Sequence, residues 1–342
     1  MEAKSGLLER LARGVVLGAE GYVFELERRG YIKAGPFVPE VVLDFPEAVD
    51  ELHREFLRAG AEVMVALTYY GDREKLKTVG REGELETLNR RAVKLAKKAA
   101  AEGNALVAGD ICNTWVYDHN DKEASSKKVR QIYTEQVSWA VDEGVDFIIA
   151  ETLDYFGEGM LALEVIKSFG LPAMITFASV QDTLREGISH VEACRLLAAE
   201  GADVVGLNCS RGPGTMLPML REIRQVVSGY VAAQPVPYRT TPDQYAFQQL
   251  REPGGERLFP IALEPFLCNR FEMADFARQA EEIGVNYIGI CCGGAPHHVR
   301  AMAEALGRTP SASRYSPELS LHPMIGKHVH EKDEEFLGHW KD

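Results

Sequence analysis

Three cysteines have the residue type and the placement to bind a soft metal ion. Cys291 and Cys292 end an apolar run and precede two glycines, Gly293 and Gly294, while Cys209 ends an earlier apolar run that reads GLNC. Three thiolates that converge on one ion match the ligand preferences of zinc, and three protein ligands leave a fourth position open for a substrate. The alternative is three small residues of a core, since free cysteine is often buried.

Carboxylate and aromatic side chains stand at the ends of other apolar runs. Glu20 and Glu151 could hold an amine, although a salt bridge or a helix cap is the alternative for each, and Asp110 ends a further run. Four aromatic residues could line a pocket for a cation by cation–π contact, with packing as the alternative. They are Tyr22, Phe37, Tyr69 and Tyr70.

The remaining cysteines and two histidines add little to the metal set. Cys194 lies on a helix face and is expected in the core, and neither Cys112 nor Cys268 has a partner at ligand spacing. His297 and His298 follow the cysteine pair at the start of the last predicted helix, where a histidine more often caps the helix or faces solvent.

Eight short apolar runs alternate with amphipathic helical segments. The runs begin at Gly14, Glu62, Ala105, Val145, Pro172, Asp203, Val231 and Val285. Runs that are apolar throughout are typical of strands covered on both faces. Four helical segments stop at AGA, AEG, DEG or EIG, directly before a strand. This rhythm predicts an α/β fold, a (β/α)8 TIM barrel over residues 1–310. A doubly wound sheet is the alternative.

Such a barrel would bring the three cysteines together. Cys209 ends the sixth run and the cysteine pair ends the eighth, so the tips of both strands lie on the carboxyl rim, where barrel active sites are found. This convergence favours the zinc site over the core interpretation. The chain has no GxGxxG after a strand and no GxxxxGK, so a nucleotide cofactor is not indicated.

Composition limits the classes of partner. The 342-residue chain carries a formal net charge of −13, which disfavours nucleic acid. No apolar run approaches the roughly 20 residues that cross a bilayer, and the N-terminal segment does not resemble a secretory signal. Six cysteines are too few for a disulfide framework, so we expect a reducing, cytoplasmic location. Residues 311–342 are expected to pack on the barrel or on a second subunit, which leaves a homo-oligomer open.

Several segments, spread over roughly residues 10–310, carry a family resemblance. They read GYVFELERRGYIKAGPFVPE, LHREFLRAGAEVM, YYGDREKL, GLNC, QPVPYRTTPD and YIGICCGGAPHHVRAMAEAL. Together they resemble the zinc-dependent homocysteine S-methyltransferases, and most closely the betaine-dependent branch of that family. The resemblance implies a (β/α)8 barrel with Zn2+ on Cys209, Cys291 and Cys292. It also implies small-molecule substrates, namely homocysteine and a methyl donor.

The resemblance implies further roles in the site. Tyr70 would occupy the fourth zinc position until the substrate thiol displaces it, Glu151 would hold the amine of the amino acid, and Phe37 would contact the methyl donor. The other implied residues are Glu20, Gly21 and Asn208 on the substrate side and Tyr69, with Tyr70, on the donor side.

The chain departs from the betaine enzymes at positions that belong to the substrate pocket. Ala19 and Glu20 replace an aspartate–glycine pair after the first strand, so Glu20 would stand in as the amine contact. Phe37, Ala66 and Thr152 stand where those enzymes have tryptophan, threonine and tyrosine. These differences fall on the substrate pocket and not on the metal ligands.

The resulting hypothesis is methyl transfer from an onium donor to the zinc-bound thiolate of homocysteine, giving methionine. Coordination would deprotonate a thiol whose ordinary pKa is about 8.5, and aromatic faces would hold the cationic donor. One alternative is a sulfonium donor, such as dimethylsulfoniopropionate or S-methylmethionine. Others are a methyl group supplied through a corrinoid partner protein and a barrel that binds zinc or onium compounds without turnover.

Overall fold

The computed structural model describes residues 5–324 and 326–327. Within these residues the strands are β1 (Val16–Ala19), β2 (Val63–Val65), β3 (Leu106–Cys112), β4 (Phe147–Leu153), β5 (Ala173–Ala178), β6 (Val204–Asn208), β7 (Tyr230–Gln234) and β8 (Tyr287–Ile288). Each strand pairs in parallel with the next, and β8 pairs with β1 to close the barrel. The predicted (β/α)8 architecture is confirmed.

Helices separate the strands and cover the outside of the barrel. In the described part of the chain they are α1 (Leu7–Leu11), α2 (Tyr22–Arg28), α3 (Val41–Asp44), α4 (Pro46–Ala59), α5 (Arg73–Leu76), α6 (Leu85–Gly103), α7 (Lys122–Glu143), α8 (Phe156–Ser168), α9 (His190–Ala199), α10 (Pro213–Val226), α11 (Arg270–Ile283) and α12 (Pro296–Ala305). Short 3-10 helices lie at Lys77–Val79, Glu82–Glu84, Phe247–Gln249, Glu264–Phe266, Ser311–Tyr315 and Leu319–Leu321. None of the helices within residues 5–324 has the length and apolar character to cross a membrane.

The strands are buried on both faces, as their sequences predict. All seven residues of β3 and all seven of β4 are buried, because helices cover one face and side chains fill the barrel on the other. Inside the barrel, a side chain at Gly18 would place its Cβ 2.1 Å from the Tyr287 hydroxyl. Gly18 therefore leaves the space that the Tyr287 ring occupies.

Most of the predicted helix stops are confirmed. Gly60, Gly144 and Gly284 follow α4, α7 and α11 with φ angles of 104°, 82° and 91°, a left-handed backbone that glycine adopts without strain. The stop predicted at Gly103 differs, because Gly103 is the last residue of α6 and Asn104 takes the left-handed conformation with φ 54°. Asparagine tolerates this conformation better than other residues with a side chain.

The cysteine pair lies beyond the last strand rather than at its end. β8 stops at Ile288, and the extended chain continues beside the segment that follows β7, with Gly289 donating to the Ala233 carbonyl and Cys291 to the Pro235 carbonyl. Both cysteines therefore belong to the loop between β8 and α12. This loop places them at the carboxyl rim of the barrel.

The first part of the predicted tail lies against the barrel. Ser311 Oγ donates to the Arg58 carbonyl at the end of α4 at 3.3 Å, whereas Leu319 and Leu321 are exposed. Residues 325 and 328–342 lie outside the described residues. The packing of residues 311–342 as a whole, on the barrel or on a second subunit, stays a prediction.

Candidate metal and substrate site

Three cysteine side chains converge at the carboxyl rim of the barrel. The Cys292 Sγ lies 3.8 Å from the Cys209 Sγ and 3.8 Å from the Cys291 Sγ, and the three sulfur atoms all lie within 4.8 Å of one another. Around a tetrahedral ion with zinc–sulfur bonds of about 2.3 Å, sulfur atoms would be about 3.8 Å apart. The three residues therefore fit a zinc ion, and we call them the sulfur cluster.

Cys209 and Cys291 are buried and Cys292 is half-buried, and the pKa values of the three thiols shift in different directions. Hydrogen bonds from the thiols of Cys291 and Cys292 hold the pKa of Cys209 well below its usual range. The same contacts with Cys209 raise the pKa of Cys291 and of Cys292 well above that range. A metal that binds here must displace the protons of the two thiols, so its affinity will rise with pH.

Backbone strain is concentrated around the sulfur cluster. Positive φ angles are uncommon for residues other than glycine, and each costs about 1–3 kcal/mol. Six such residues lie at the site: Phe37, Tyr70, Trp115, Thr152, Cys209 and Ser210. Gly293 also has a positive φ of 92°, and a Cβ at that position would lie 2.4 Å from the Tyr238 hydroxyl. The glycine after the cysteine pair is therefore required for the turn of this loop.

A cavity of about 40 Å3 adjoins Cys291 and Cys292 on the inner side of the cluster. Three carboxyl groups line it, those of Glu20, Asp110 and Glu151, which are 4%, 5% and 7% exposed. No lysine or arginine of the described chain is among its lining residues. We call it the carboxylate cavity.

Glu151 is held in place by a residue behind it. The Asn208 amide donates to Glu151 Oε2 and to the Thr152 hydroxyl, both at 2.7 Å, and Asn208 Oδ1 accepts from the Thr152 backbone N–H at 2.8 Å. Asn208 is fully buried and lines neither cavity of the site, so it acts through Glu151. Burial and the negative charge of Cys209 raise the pKa of Glu151 to about 8.

Glu20 and Gly21 approach the same cavity from the loop after β1. Gln234 Nε2 donates to Glu20 Oε2, which fixes one oxygen of that carboxyl group. Gly21 has φ 91°, and a Cβ there would lie 2.9 Å from the Cys291 carbonyl oxygen. Gly21 therefore lets the β1 loop pack directly on the cysteine loop. Both residues line the carboxylate cavity, and both are residues that the resemblance assigns to the substrate.

A second cavity, of about 270 Å3, lies on the outer side of the cluster and includes Cys209 and Cys292 in its lining. We call it the aromatic cavity after seven of its residues. These are Phe24, Phe37, Tyr69, Tyr70, Trp115, Phe247 and Phe259. The Tyr69 and Tyr70 rings stack with centroids 4.3 Å apart, and Trp115 meets Tyr70 edge-on at 5.1 Å. The predicted donor residues Phe37, Tyr69 and Tyr70 all belong to this lining.

A buried lysine supports the aromatic cavity from behind. Lys75 Nζ lies 4.1 Å from the centre of the Tyr70 ring and 4.9 Å from that of Trp115. It pairs with Asp72 at 3.2 Å and donates to the backbone and side-chain oxygens of Asn113. Burial raises the pKa of Tyr70 to about 12, although the charge of Lys75 opposes this shift.

The sequence interpretation did not assign a role to Asp110, Lys75 or Trp115. In the sequence, Asp110 is the end of an apolar run, and Trp115 follows the third strand as other rim residues follow theirs. Lys75 lies three residues after Asp72 in the segment YYGDREKL, and that spacing is the one local signal of their pairing.

Two other sequence expectations have clear outcomes. Tyr22, a candidate for the cation pocket, lines the carboxylate cavity and packs edge-on against Phe56 at 5.3 Å, because it lies inside the helix layer rather than at the rim. His298 caps α12, because it accepts from the Ala295 N–H at 3.2 Å and contacts the Cys268 carbonyl at 3.0 Å.

Comparison with known proteins agrees with this geometry. The sequence profile of the family described as homocysteine S-methyltransferase matches residues 20–306. Betaine–homocysteine S-methyltransferase 1 of Xenopus tropicalis is 40% identical over 316 residues, which cover 89% of this chain and 76% of that protein. S-methylmethionine–homocysteine S-methyltransferase of Mus musculus is 36% identical over 323 residues, covering 91% and 85%.

A solved structure resembles the fold. The metallated form of the homocysteine methyltransferase from Escherichia coli superimposes with a TM-score of 0.67 over 85% of this chain and 96% of that one, at 22% sequence identity. At this identity the likeness supports the barrel architecture.

Proposed function

Because the chain belongs to the homocysteine S-methyltransferase family, we propose that it moves a methyl group from a betaine-like onium donor to the thiol of homocysteine, giving methionine. One observation on this chain supports the assignment. The sulfur cluster stands between a cavity lined by carboxyl groups and a cavity lined by aromatic rings. An acceptor amine and a cationic donor would thus approach the same sulfur atoms from two sides.

Cys209, Cys291 and Cys292 would hold a zinc ion, which fits their sulfur spacing of 3.8 Å. When bound, zinc would lower the pKa of a substrate thiol so that it reacts as the thiolate at neutral pH. Tyr70 is our candidate for the fourth position before substrate arrives, since it lines the aromatic cavity beside Cys209 and Cys292.

The acceptor side depends on Glu151 and Glu20. Glu151 is oriented by Asn208, and Glu20 by Gln234, so both carboxyl groups have fixed positions before substrate binds. An ammonium group carries three N–H donors and would form charge-assisted hydrogen bonds with them. Gly21 leaves room for the substrate backbone between these groups and the cysteine loop.

The donor side depends on ring faces. A quaternary ammonium or sulfonium centre has no N–H to donate, so it is attracted by aromatic faces rather than held by hydrogen bonds. Phe37, Tyr69 and Tyr70 would hold its methyl group in line with the acceptor sulfur. The donor leaves as a neutral amine or sulfide and needs no proton from the protein, so the work of these residues is alignment.

A sulfonium donor is the second candidate. The mouse relative that is 36% identical to this chain over the aligned residues is named for S-methylmethionine, and ring faces accept a sulfonium centre as well as a quaternary ammonium. The same transfer to homocysteine would follow.

The test is a donor panel with zinc-loaded protein. Homocysteine is incubated with glycine betaine, dimethylsulfoniopropionate, S-methylmethionine or methylcobalamin, each carrying a deuterated methyl group, and labelled methionine is measured by mass spectrometry. We expect label from glycine betaine or a sulfonium compound. Label from methylcobalamin alone would favour a corrinoid route, and no label from any donor would contradict the methyltransferase assignment.

A further inference from the structure

The carboxylate cavity contains more acidic oxygens than its protein neighbours can satisfy. Asp110 Oδ1 and Glu20 Oε1 are buried and have no hydrogen-bond partner, and neither does Gln234 Oε1 beside Glu20. Buried polar atoms without partners are rare in folded proteins, and buried carboxyl groups are normally paired. Unpartnered oxygens on two side chains of one cavity point to a ligand that carries donors or positive charge.

No group of the described residues takes the place of that ligand. The Thr68 hydroxyl donates to the backbone carbonyl of Asp110, at 2.6 Å, and not to its carboxyl group. The ammonium of Lys75 is engaged by Asp72 and Asn113, and it acts on Asp110 only through its charge. The described residues that line the cavity include no positive side chain.

The three carboxyl groups repel one another. Burial, followed by the charges of Glu151 and Asp110, raises the pKa of Glu20 well above its usual range. Burial and the charge of Glu151 do the same to the pKa of Asp110. A cation placed among them would relieve both effects, because it replaces lost hydration and screens the like charges.

The cavity has the size and position for an ammonium group. Ala66 contributes only a methyl group to its lining, and its volume of about 40 Å3 exceeds the roughly 10–15 Å3 that one water requires. It opens on Cys291 and Cys292, so a molecule with an amine here has its other end at the sulfur cluster. Three N–H donors could meet one oxygen from each carboxyl group.

We infer that Asp110 and Glu20 complete, with Glu151, a three-carboxylate site that selects the acceptor thiol by its amino group and does not require its carboxylate. This assignment rests on the proposed function and names its acceptor class as aminothiols. Asp110 is the specificity-determining member, because one of its carboxyl oxygens has no partner. It lies on β3, which pairs with the β4 strand that carries Glu151. Within the described part of the chain, the cavity lining has no lysine or arginine to recognise an acceptor carboxylate.

A comparison of three acceptor thiols distinguishes recognition of the amino group from a general effect on the enzyme. Homocysteine carries an amine and a carboxylate, 3-aminopropane-1-thiol only the amine, and 4-mercaptobutyrate only the carboxylate. With the zinc-loaded parent protein and saturating donor, we expect the first two to react with similar KM and the third poorly. In Asp110→Asn, the KM of both aminothiols should rise about tenfold while that of 4-mercaptobutyrate and the zinc content stay unchanged. An equal change for all three thiols, or none, would overturn the inference.

Thermal unfolding gives an independent readout that does not need turnover. Asp110→Asn and Glu20→Gln keep the side-chain shape and remove an unpaired buried charge, so each should raise the Tm of the ligand-free protein. Each should also weaken the increase in Tm that homocysteine and 3-aminopropane-1-thiol produce in the parent. Asp72→Asn is the matched control, because Asp72 is buried but paired with Lys75, and its loss should lower the Tm.

The two readouts also distinguish failure of the inference from failure of the proposed function. If the parent protein forms no methionine but the aminothiols still raise its Tm through Asp110, the methyl-transfer assignment fails while the ammonium site stands. If methionine forms and the Asp110→Asn variant has a lower Tm and unaltered aminothiol KM, the ammonium site is wrong and Asp110 is structural.

Discussion

The two cavities that meet at the sulfur cluster are suited to two cations by different means. The carboxylate cavity is small, about 40 Å3, and its polar lining is acidic. The aromatic cavity is about 270 Å3, and the two charged residues of its lining, Asp154 and Arg185, pair with each other at 3.4 Å. An ammonium group has N–H donors that carboxyl oxygens accept, whereas an onium centre offers only methyl groups to ring faces. The chemistry of each ligand decides which cavity fits it.

The two cavities also differ in what supports them. Asp110 and Glu151 lie within β3 and β4, where hydrogen bonds to neighbouring strands fix their positions. Phe37, Tyr70 and Trp115 lie in loops and have positive φ angles. Loops tolerate substitution better than barrel strands, so the donor side can change while the acceptor side is preserved. Substitutions at each site should therefore act on one substrate only.

The largest effect is expected where the two cavities meet. Cys209→Ala removes one of three metal ligands, so zinc content should fall well below one per chain and methionine formation should fall by more than about a thousandfold. Inductively coupled plasma mass spectrometry and the methyl-transfer assay would measure these changes. Cys194→Ala is the control, because Cys194 is buried in the core away from the cluster and its variant should keep the zinc. Full zinc retention in Cys209→Ala would reject the ligand set.

Of the two cavities, only the carboxylate cavity is expected to make the free energy of unfolding strongly pH-dependent. The pKa of Glu151 is about 8 in the metal-free folded protein, against 4.5 as its ordinary value. A raised carboxyl pKa favours the folded state while the group is protonated, so this contribution is complete below pH 4.5 and is lost as the pH rises through 8. The loss amounts to at most about 5 kcal/mol.

Urea unfolding of the metal-free protein between pH 5 and pH 9, compared with Glu151→Gln, would measure this difference. Glutamine cannot ionise, so the variant should lose less free energy of unfolding over that range. Trp115→Ala serves as the control on the aromatic side and should keep the pH dependence of the parent. Identical pH dependence in Glu151→Gln and the parent would show that Glu151 does not titrate in this way.

A moderate effect is expected from loss of one ring of the aromatic cavity. Trp115→Ala removes a cation–π partner worth about 1–2 kcal/mol, so the KM of the onium donor should rise about 5- to 30-fold while that of homocysteine stays the same. Steady-state kinetics with each substrate varied in turn would test this. Phe271→Ala is the matched control, because Phe271 is an exposed aromatic residue on α11 outside the cavity. A rise in the KM of homocysteine would break the separation of the two cavities.

The smallest expected effect is a gain in affinity for the methyl donor. Tryptophan is the best cation–π partner, and Phe37 lies at the edge of the aromatic cavity, stacked on Phe24 at 5.1 Å. Phe37→Trp should lower the KM of a quaternary ammonium donor by about 2- to 5-fold and leave homocysteine unaffected. A panel of donors of different size would measure it. A weaker donor affinity in this variant would mean that the larger ring blocks the donor rather than contacting it.

The fold and the convergence of the three cysteines were predictable from the sequence because both leave local signals. A strand buried on both faces is apolar throughout, a helix end favours glycine, and the carboxyl ends of barrel strands lie on one rim. These rules placed Cys209 and the cysteine pair together although more than eighty residues separate them. Glu151 was predictable for the same reason, since a carboxylate at the end of an apolar strand is conspicuous.

Other members of the site have no such local signal. The hydrogen bond from Asn208 to Glu151 depends on the register of β4, β5 and β6, which no short segment of the sequence reveals. Lys75 looks like any lysine of a short helix until the fold buries it beneath Tyr70. The unpartnered oxygens of Glu20 and Asp110 likewise depend on what surrounds them in three dimensions.

The amino-acid sequence by itself determined the barrel, its rim and the three cysteines on that rim, because periodicity, turn residues and residue type are properties of short segments. Only the tertiary structure decided which charges lack a partner and which rings enclose a space. Closing the barrel brings side chains of β3, β4 and the loop after β1 into one cavity, and hydrogen-bond satisfaction there depends on register and depth. Such long-range relations are set by the packing of the whole chain and leave no pattern in any one segment of it.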